Sequence, residues 1–373
     1  MKKAAITGTG LFTPQQSISN DELVACFNAY VERFNAENNA AIADGSVTAM
    51  APSSSEFIAK ASGIKARYVM DKAGVLDLDI MRPRIATRGN DEPSLLAEMG
   101  VAAATQALER AGRTAADVDF VIAACSNMPR AYPALSVEIQ NLLGIQGFAY
   151  DMNVACASAA FGIQAAVDAV RLGSARAVLV INPEMCSGHL NWRNRDCHFI
   201  FGDAATAVLV EALDDTVSQD RFEVLGTRLL TQFSSNIRNN FGFLNECELT
   251  PRRWDDVLFR QEGRKVFKEV VPMVSELMVQ HLGSLEIAPN SVRRFFLHQA
   301  NLSMNEFIAR KVLGRDPSRD EAPVILDEYA NTSSAGSVIA FHKYHDDLAA
   351  GDIAVLCAFG AGYSAGSVVM KRL

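Results

Sequence analysis

Short apolar runs alternate with longer segments of helical periodicity along most of the chain. In the first half, runs rich in Val, Ile, Ala and Leu occupy residues 4–10, 118–126, 177–183 and 204–213, and each predicts a strand. The segment 94–112 has the period of a helix, with Pro93 near its start and Gly112 at its end. Strands connected by helices predict an α/β fold.

The second half repeats this order. Strands are predicted at 223–230, 292–300, 353–362 and 366–373, and helices at 263–283 and 304–314. Pro272 lies within the first of these helices, where a kink or a break is possible. The repeated order predicts two similar α/β halves, residues 1–213 and 214–373, joined near Asp214 to Asp220.

Two stretches fit neither half. Residues about 28–55 and 71–93 are interpreted as insertions of helix and loop, long enough to form a cap over a pocket. Surface decoration is an equally good interpretation of both insertions.

Composition narrows the class of protein. The 373 residues are 49% hydrophobic and 21% charged, which fits a large buried core. A formal net charge of −8 argues against nucleic acid as a partner. Seven cysteines without CxxC spacing indicate reduced thiols in a cytoplasmic protein. Thr7 to Gly10 interrupt the first apolar run, so we expect no signal peptide, and no segment suggests a membrane span.

Glycine-rich segments near both ends of the chain look like nucleotide-binding loops. Neither fits a dinucleotide fingerprint, because "GTG" at 8–10 is followed by "LFTPQQ" and "FGAGYSAG" lies close to residue 373. The second segment is better interpreted as tightly turned backbone whose N–H groups are free to bind.

Cys156, in "NVACASAAFG", is the first candidate for chemistry. Asp151 and Asn153 are predicted to cap a helix of small residues that starts beside it. The partial positive charge of a buried helix start favours thiolate, the nucleophilic form of cysteine. From these residues alone, a packed, inert thiol remains an equal alternative.

His298 and Asn331 are the second and third candidates. His298 follows an apolar strand in "RRFFLHQANLS", and Asn331 lies in "LDEYANTSSAGS". Each on its own suits a loop or turn residue. With Cys156 they form a Cys, His and Asn set in which each residue is predicted at a strand end or helix start, where α/β proteins gather their chemistry. The other histidines have no spacing typical of metal ligands, so we expect no metal site.

Four motifs resemble one family. "NVACASAAFG", "HQAN", "YANTSSAG" and "FGAGYSAGS" occur in the order found in β-ketoacyl-ACP synthase III, a condensing enzyme of the thiolase superfamily. The resemblance runs from the first strand to residue 373, interrupted by the insertions. It implies a five-layered αβαβα fold of two pseudo-repeated halves, and a homodimer. The length and insertions most resemble the medium-chain, β-ketodecanoyl-forming branch, which extends octanoyl-CoA.

The resemblance implies a role for each candidate. Cys156 takes the acyl group from acyl-CoA, and His298 and Asn331 hold the thioester carbonyl of malonyl-ACP during loss of CO₂. The product is a β-ketoacyl-ACP that starts fatty acid synthesis. The backbone N–H groups of Cys156 and Ala361 form the oxyanion hole. Acyl-CoA and malonyl-ACP are substrates, and no cofactor is expected.

Specificity and docking residues follow from the same resemblance. Tyr132 falls where the family places an aromatic residue that reaches the partner subunit's acyl pocket; an interface packing role is the alternative. A basic patch for the acidic carrier protein is expected from Lys268, Arg310 and Lys311. The chain departs from the family pattern at three positions. Phe57 and Ala61 stand where tryptophan and arginine commonly hold the CoA adenine, and Ser303 stands where arginine is common.

Other interpretations of the residue set differ in class. A papain-like cysteine hydrolase uses the same three residue types, but its "CGSCW"-like segment is absent. A non-catalytic subunit of a heteromeric synthase is disfavoured by the intact set. Head-to-head condensation of two acyl-CoAs, or acyl transfer to another acceptor, keeps all three residues.

Overall fold

The computed structural model describes residues 2–373, which include thirteen strands. The predicted strands are all present, with ends shifted by a few residues. The strands are β1 (Ala4–Phe12), β2 (Gln16–Ser19), β3 (Ala66–Val69), β4 (Phe120–Ala124), β5 (Phe148–Met152), β6 (Ala177–Met185), β7 (Asp203–Ala212), β8 (Phe222–Ser234), β9 (Ile237–Arg238), β10 (Arg260–Gln261), β11 (Val292–Leu297), β12 (Ile353–Gly360) and β13 (Gly362–Arg372).

Eleven α-helices connect these strands within the described residues. Ser94 caps the predicted helix over 94–112, and Gly112 ends it with a φ of +66°, a conformation that glycine adopts at little cost. The helices are α1 (Asn20–Glu37), α2 (Asn39–Ala43), α3 (Ser55–Ser62), α4 (Lys72–Val75), α5 (Leu95–Ala111), α6 (Leu135–Leu143), α7 (Ser158–Leu172), α8 (Gly263–Ser284), α9 (Leu302–Leu313), α10 (Leu326–Tyr329) and α11 (Ala335–Tyr344).

Nine strands pair in the order β11-β12-β13-β8-β1-β7-β6-β4-β5. Strands β5, β4 and β6 are parallel, as are β11 and β12, and the other pairs are antiparallel. The junction between β1 and β8 consists of two paired positions, Ala5 with Glu223 and Ile6 with Phe222. We call the strands on the two sides of this junction the first and the second sheet; they come from the first and the second half of the chain, respectively.

Five layers stack around these two sheets. Helices α5 and α6 cover the outer face of the first sheet, and α8 and α9 cover the outer face of the second. Helices α7 and α11 lie between the sheets, and their apolar side chains join strands of both halves in one core cluster. This αβαβα order confirms the predicted fold and buries the start of α7 at the centre of the molecule.

A smaller cluster of apolar side chains lies beside these layers. It packs α1 and α3 against the loop 186–201, and we call it the cap cluster. The predicted insertions contribute Val31, Val75 and Met81 to it. All residues of 28–55 and 71–93 are described, and none lines the main cavity of the single chain. The insertions therefore lie behind the cavity wall, in the cap cluster, and do not form part of the cavity lining.

Two details of the helices differ from the simplest expectations. Helix α8 continues through Pro272 without a break. The stretch Ala155–Leu172, which includes α7, is long and apolar enough by length and composition to cross a membrane, so the expectation that no segment reaches this length is wrong. Half of that stretch is buried inside the chain, as in the central helix of a folded core.

Candidate active site

A cavity of about 610 Å³ opens between α3, α8, α9 and the loop before β7. Cys156, His298 and Asn331 all line it, so the structure brings together the three side chains that the sequence singled out. His298 and Asn331 are 2% and 7% exposed. With Cys156 and Gly360 they form the inner end, which we call the cavity floor. The exposed lining residues form the cavity mouth: Ala61, Asp196, Gln261, Gly263, Arg264, Lys268 and Ser303.

Cys156 lies in a short turn between β5 and α7. Residues Ala155–Ala157 form one 3₁₀ turn, and α7 begins at the next residue. Gly360, at the end of β12, lies directly against the cysteine. A Cβ added at Gly360 would lie 2.6 Å from the Cys156 Cβ and 3.0 Å from its Sγ. Cys156 therefore fits at this position only because residue 360 has no side chain.

The predicted capping of α7 by Asp151 and Asn153 is wrong. The Asp151 carboxylate accepts the backbone N–H groups of Leu135 and Ser136 at 2.8 and 2.7 Å, so it caps α6. Asn153 Oδ1 accepts the N–H of Ala155 at 3.0 Å, within its own loop. Helix α6 leads into β5, and Asp151 near the end of β5 returns to the start of that preceding helix. The prediction assigns both side chains to α7 because that helix follows them directly in the sequence.

The expected thiolate is not the resting form of Cys156. Burial raises the pKa of the Cys156 thiol to about 11, although part of the side chain reaches the cavity surface. The Ser333 hydroxyl lowers this pKa by hydrogen bonding, and the negative charge of Glu184 raises it. The surrounding protein therefore outweighs the partial charge of the helix start, and Cys156 rests as a thiol at neutral pH.

Two backbone N–H groups approach the Cys156 sulfur. They belong to Cys156 itself and to Ala361, and both lower the pKa of the thiol by hydrogen bonding. These are the two groups that the family resemblance assigned to an oxyanion hole. Since only the backbone of residue 361 is used, an alanine there serves as well as a glycine.

His298 directly follows β11 and is held by its backbone, whose N–H donates to the carbonyl of Cys357 at 2.8 Å. The imidazole packs edge-on against Phe359, with 5.3 Å between the ring centroids. Burial lowers the pKa of His298 to about 4, and a hydrogen bond with the Ser333 backbone offsets this only in part. The imidazole is therefore neutral at pH 7 and carries one N–H donor.

Asn331 is fixed from three directions. Its backbone N–H donates to Ile200 at 2.9 Å, and its carbonyl accepts the N–H of Gly202 at 3.1 Å. Its side-chain Oδ1 accepts the N–H of Ser333 at 2.8 Å. Because the amide oxygen is occupied, the amide nitrogen is the end left to donate to a bound molecule in the cavity.

Tyr132 does not line the cavity of its own chain. It lies in the loop between β4 and α6, and its side chain is 85% exposed. The single chain does not test a contact with a partner's pocket, so that role stays a prediction.

The three predicted docking cations lie on neighbouring helices. Lys268, on α8, is at the cavity mouth, and Arg310 and Lys311 are exposed in the last turn of α9. Arg310 forms an exposed ion pair with Asp316, a kind of pair worth about 0–1 kcal/mol. Within residues 2–373, Lys268 and Lys311 have no ion-pair partner. The patch is therefore available to an acidic partner.

Sequence reasoning missed several residues of the site. The guanidinium of Arg195 lies 4.1 Å from the ring centroid of Phe57, which lines the cavity. Nothing in the linear sequence joins these two. It also missed Ser126, Ser333 and Glu184, which contact one another behind Cys156. A glutamate inside the apolar run of β6 was an available signal, because a buried carboxyl needs partners or a role.

No metal-binding geometry exists among the described residues of the cavity. The one group with suitable ligand spacing in residues 2–373 is Asp220, His345 and Asp346. It lies outside the cavity, and His345 there is bonded to Asp220 at 2.7 Å and to the carbonyl of Phe341 at 2.7 Å.

Comparisons with known proteins agree with this geometry. Residues 150–231 match the family described as 3-oxoacyl-[acyl-carrier-protein] synthase III, and residues 282–372 match its C-terminal part. A β-ketodecanoyl-[acyl-carrier-protein] synthase from Pseudomonas aeruginosa is 62% identical over 346 residues, which cover 93% of this chain and 99% of that protein. A β-ketoacyl-[acyl-carrier-protein] synthase III from Agrobacterium fabrum is 32% identical over 325 residues, 85% of this chain and 91% of that protein.

A solved structure supports the fold independently. The 3-oxoacyl-[acyl-carrier-protein] synthase III of Aquifex aeolicus superimposes with a TM-score of 0.77 at 23% identity, over 99% of each chain. The chain therefore belongs to the β-ketoacyl-ACP synthase III family, in its medium-chain branch, and is a condensing acyltransferase of fatty acid synthesis.

Proposed function

We propose that the protein joins the acyl group of octanoyl-CoA to the two-carbon unit of malonyl-ACP with loss of CO₂, giving β-ketodecanoyl-ACP. The observation that carries this proposal is the convergence of Cys156, His298 and Asn331 on one cavity floor. The octanoyl length rests on the 62% identity to a protein named for its β-ketodecanoyl product. No cofactor or metal is needed for these steps.

Loading of the acyl group is the first step. The Cys156 sulfur attacks the thioester carbonyl of acyl-CoA, and CoA leaves as its thiol. The negative charge that develops on the carbonyl oxygen is stabilised by the N–H groups of Cys156 and Ala361, which already point at the sulfur. Such donors act without reorganisation because they belong to fixed backbone.

Decarboxylation of malonyl-ACP is the second step. The malonyl thioester oxygen accepts hydrogen bonds from the amide nitrogen of Asn331 and from the single N–H of the neutral His298 imidazole, which exchanges its Ser333 backbone partner for the bound thioester. As CO₂ leaves, negative charge moves onto that oxygen, and both hydrogen bonds strengthen. A neutral histidine suits this task, because burial keeps its pKa low and the uncharged imidazole still has one N–H to donate.

Carbon–carbon bond formation completes the cycle. The carbanion left by decarboxylation attacks the acyl-Cys156 thioester, and the same two backbone N–H groups stabilise the second oxyanion. Cys156 leaves as thiolate and regains a proton. The β-ketoacyl product remains attached to the carrier protein.

Substrate binding uses the cavity mouth. Beside the mouth, the Arg195 guanidinium covers one face of Phe57 and offers a planar cation for the CoA adenine, in place of the family's tryptophan and arginine. Lys268, Arg310 and Lys311 dock the acidic carrier protein. We further propose a cytoplasmic homodimer in which Tyr132 of one subunit limits the acyl pocket of the other.

Separating loading from condensation tests the proposal. Cys156→Ser is expected to lose the stable acyl-enzyme. His298→Ala and Asn331→Ala are expected to load Cys156 normally, yet to condense about 10²–10³-fold more slowly, because each removes one donor to the developing charge. Loading is measured by the mass of the intact protein, and condensation by the appearance of β-ketodecanoyl-ACP.

Asn141→Ala, at an exposed position of α6, is the control for Asn331→Ala. If folded His298→Ala or Asn331→Ala failed to load Cys156, the division of roles would be wrong. Condensation of two octanoyl-CoA molecules in the absence of malonyl-ACP would instead support the head-to-head reaction.

A further inference from the structure

A continuous row of hydrogen-bonding atoms leads from the Cys156 sulfur into the core. Sγ lies 3.4 Å from Ser333 Oγ, which lies 3.1 Å from Ser126 Oγ. Ser126 Oγ in turn donates to Glu184 Oε2 at 2.5 Å. Ser333 belongs to the loop before α11, Ser126 follows β4, and Glu184 is in β6. Both halves of the chain therefore contribute to the row.

Glu184 is fully buried, with 0% exposure. Its other oxygen accepts the backbone N–H groups of Ser126 at 3.0 Å and Ser334 at 3.2 Å, and the Ser334 hydroxyl. Within residues 2–373, no lysine or arginine forms an ion pair with it. A buried carboxyl without a cation is costly, and such groups concentrate at functional sites.

The number of protons fixes the direction of the row. A carboxylate only accepts hydrogen bonds, so the single hydroxyl proton of Ser126 points to Glu184. Asn127 Nδ2 donates to Ser126 Oγ at 3.3 Å, which leaves that oxygen one lone pair for Ser333. The single Ser333 proton is within reach of both the Cys156 sulfur and Ser126 Oγ. When it points to Ser126, Ser333 Oγ accepts the proton of the Cys156 thiol, and after that transfer the Ser333 hydroxyl donates to the thiolate.

We propose that Glu184 accepts the Cys156 thiol proton through Ser333 and Ser126, and that Ser126 and Glu184 are positioning residues for the nucleophile. This inference rests on the proposed function, in which Cys156 attacks acyl-CoA.

The step balances without another reactant. The Sγ proton moves to Ser333 Oγ, the Ser333 proton to Ser126 Oγ, and the Ser126 proton to Glu184 Oε2. The sulfur then attacks the thioester carbon, the bond from that carbon to the CoA sulfur breaks, and the CoA thiolate takes a proton that returns along the row. Acyl-Cys156 and CoA thiol result, and Glu184 is again ionised.

Burial acts on the two nearby bases in opposite directions. It lowers the pKa of His298 to about 4 and raises the pKa of Glu184. The imidazole therefore loses affinity for a proton while the carboxylate gains it, which favours Glu184 as the acceptor.

Alkylation of Cys156 by iodoacetamide, without acyl-CoA, tests the proposal. Peptide mass spectrometry separates this site from the other six cysteines. In Glu184→Gln and in Ser126→Ala we expect alkylation at pH 7.5 to slow at least about tenfold. The double variant is expected to be no slower than either single one, since both changes interrupt one row. A carboxylate with only a structural role would repel the thiolate, so its removal would speed alkylation.

Glu138→Gln is the matched control, because Glu138 also accepts a serine N–H and hydroxyl but lies outside the cavity. Unchanged or faster alkylation in either folded variant overturns the proposal. If thermal melting shows that Glu184→Gln does not fold, Ser126→Ala decides alone. Failure of wild-type protein to load octanoyl would contradict the proposed function instead, and alkylation of Cys156 would still decide whether the row carries its proton.

Discussion

At the cavity floor, His298 and Asn331 are held by backbone hydrogen bonds, and Cys156 lies in the turn that starts a central helix. At the cavity mouth, Arg264 and Lys268 are exposed on one face of α8 and are free of partners among the described residues. The floor has the residue types that the family resemblance implies, whereas Ala61 and Ser303 at the mouth, and Phe57 beside it, depart from that pattern.

This difference separates two tasks. Chemistry needs atoms placed within a fraction of an ångström, and rigid backbone in a packed core provides that placement. Recognition of a large, charged substrate tolerates rearranged side chains, because exposed charges act over several ångströms. We therefore expect changes at the floor to alter the rate of chemistry, and changes at the mouth to alter affinity.

Gly360→Ala should have the largest effect of the changes that leave the side chains of Cys156, His298 and Asn331 in place. Its Cβ would lie 2.6 Å from the Cys156 Cβ, so the turn that carries the cysteine must shift. We expect loading to slow about 10²-fold, as for other ångström-scale displacements. Gly283→Ala is the control, since a Cβ there meets nothing within 4 Å. Normal loading by Gly360→Ala would show that the cavity floor can move to make room for the added methyl group, which would contradict its description as rigid.

The buried histidine at the floor makes stability depend on pH. In the unfolded chain His298 becomes protonated near pH 6.5, whereas in the folded chain it stays neutral down to about pH 4. The stability associated with His298 is thus fully present above pH 6.5 and is lost as the pH falls towards 4. As the pH is lowered, the free energy of unfolding should fall less steeply in His298→Asn than in wild type. The difference between the two slopes should be about 1.4 kcal/mol per pH unit.

Urea unfolding at pH 7, 6 and 5 measures this slope. Arg264→Gln, at the mouth, is the control, because an arginine stays charged throughout this range. Equal slopes in wild type and His298→Asn would mean that His298 becomes protonated in the folded protein.

Charge reversal at Lys268, at the mouth, and at Arg310, on the neighbouring helix α9, should weaken carrier-protein binding without slowing loading. Lys268→Glu combined with Arg310→Glu is expected to raise the KM for malonyl-ACP about three- to tenfold at low salt, and less at high salt, because screening weakens exposed pairs. Lys2→Glu combined with Arg110→Glu makes the same change in charge at exposed positions outside the cavity. Equal losses in loading and condensation, or a defect insensitive to salt, would remove these cations from the docking surface.

Tyr132→Ala should have the smallest effect, a shift in preferred acyl length. Each additional methylene that the pocket buries gains about 0.8 kcal/mol, so neighbouring chain lengths should change in relative rate about fourfold. Leu172→Ala, also highly exposed, is the control. An unchanged profile across a graded acyl-CoA series would exclude Tyr132 as the determinant of length.

Much of the fold was predictable because its signals are local. The apolar runs of β4, β6, β7 and β12 are buried on both faces, and such strands read as continuous apolar segments. Glycines at the ends of α5 and α9 marked those boundaries. The exposed Phe241, Phe243 and Trp254 between β9 and β10 carry no such signal, since hydrophobicity alone does not tell a surface residue from a core one.

The three side chains of the cavity floor were predictable from the sequence, but the hydrogen bonds that connect Cys156 to the core were not. Residue type and a predicted place at a strand end or helix start singled out Cys156, His298 and Asn331, which line one cavity. The protonation state of Cys156 depends on how much protein surrounds the sulfur, which is a property of the assembled layers. The contacts of Ser126 and Glu184 join segments far apart in sequence, so only the folded chain brings them together.

The position of the acyl group after loading from acyl-CoA is the most direct test of the role of Cys156. Wild-type protein is incubated with acyl-CoAs of graded length and without malonyl-ACP, and then analysed by intact-mass and peptide mass spectrometry. We predict one acyl group per chain, on the peptide that contains Cys156, with octanoyl-CoA loading fastest and Cys156→Ser showing none. An acyl group on any of the other six cysteines, or stable loading of Cys156→Ser, would contradict the account.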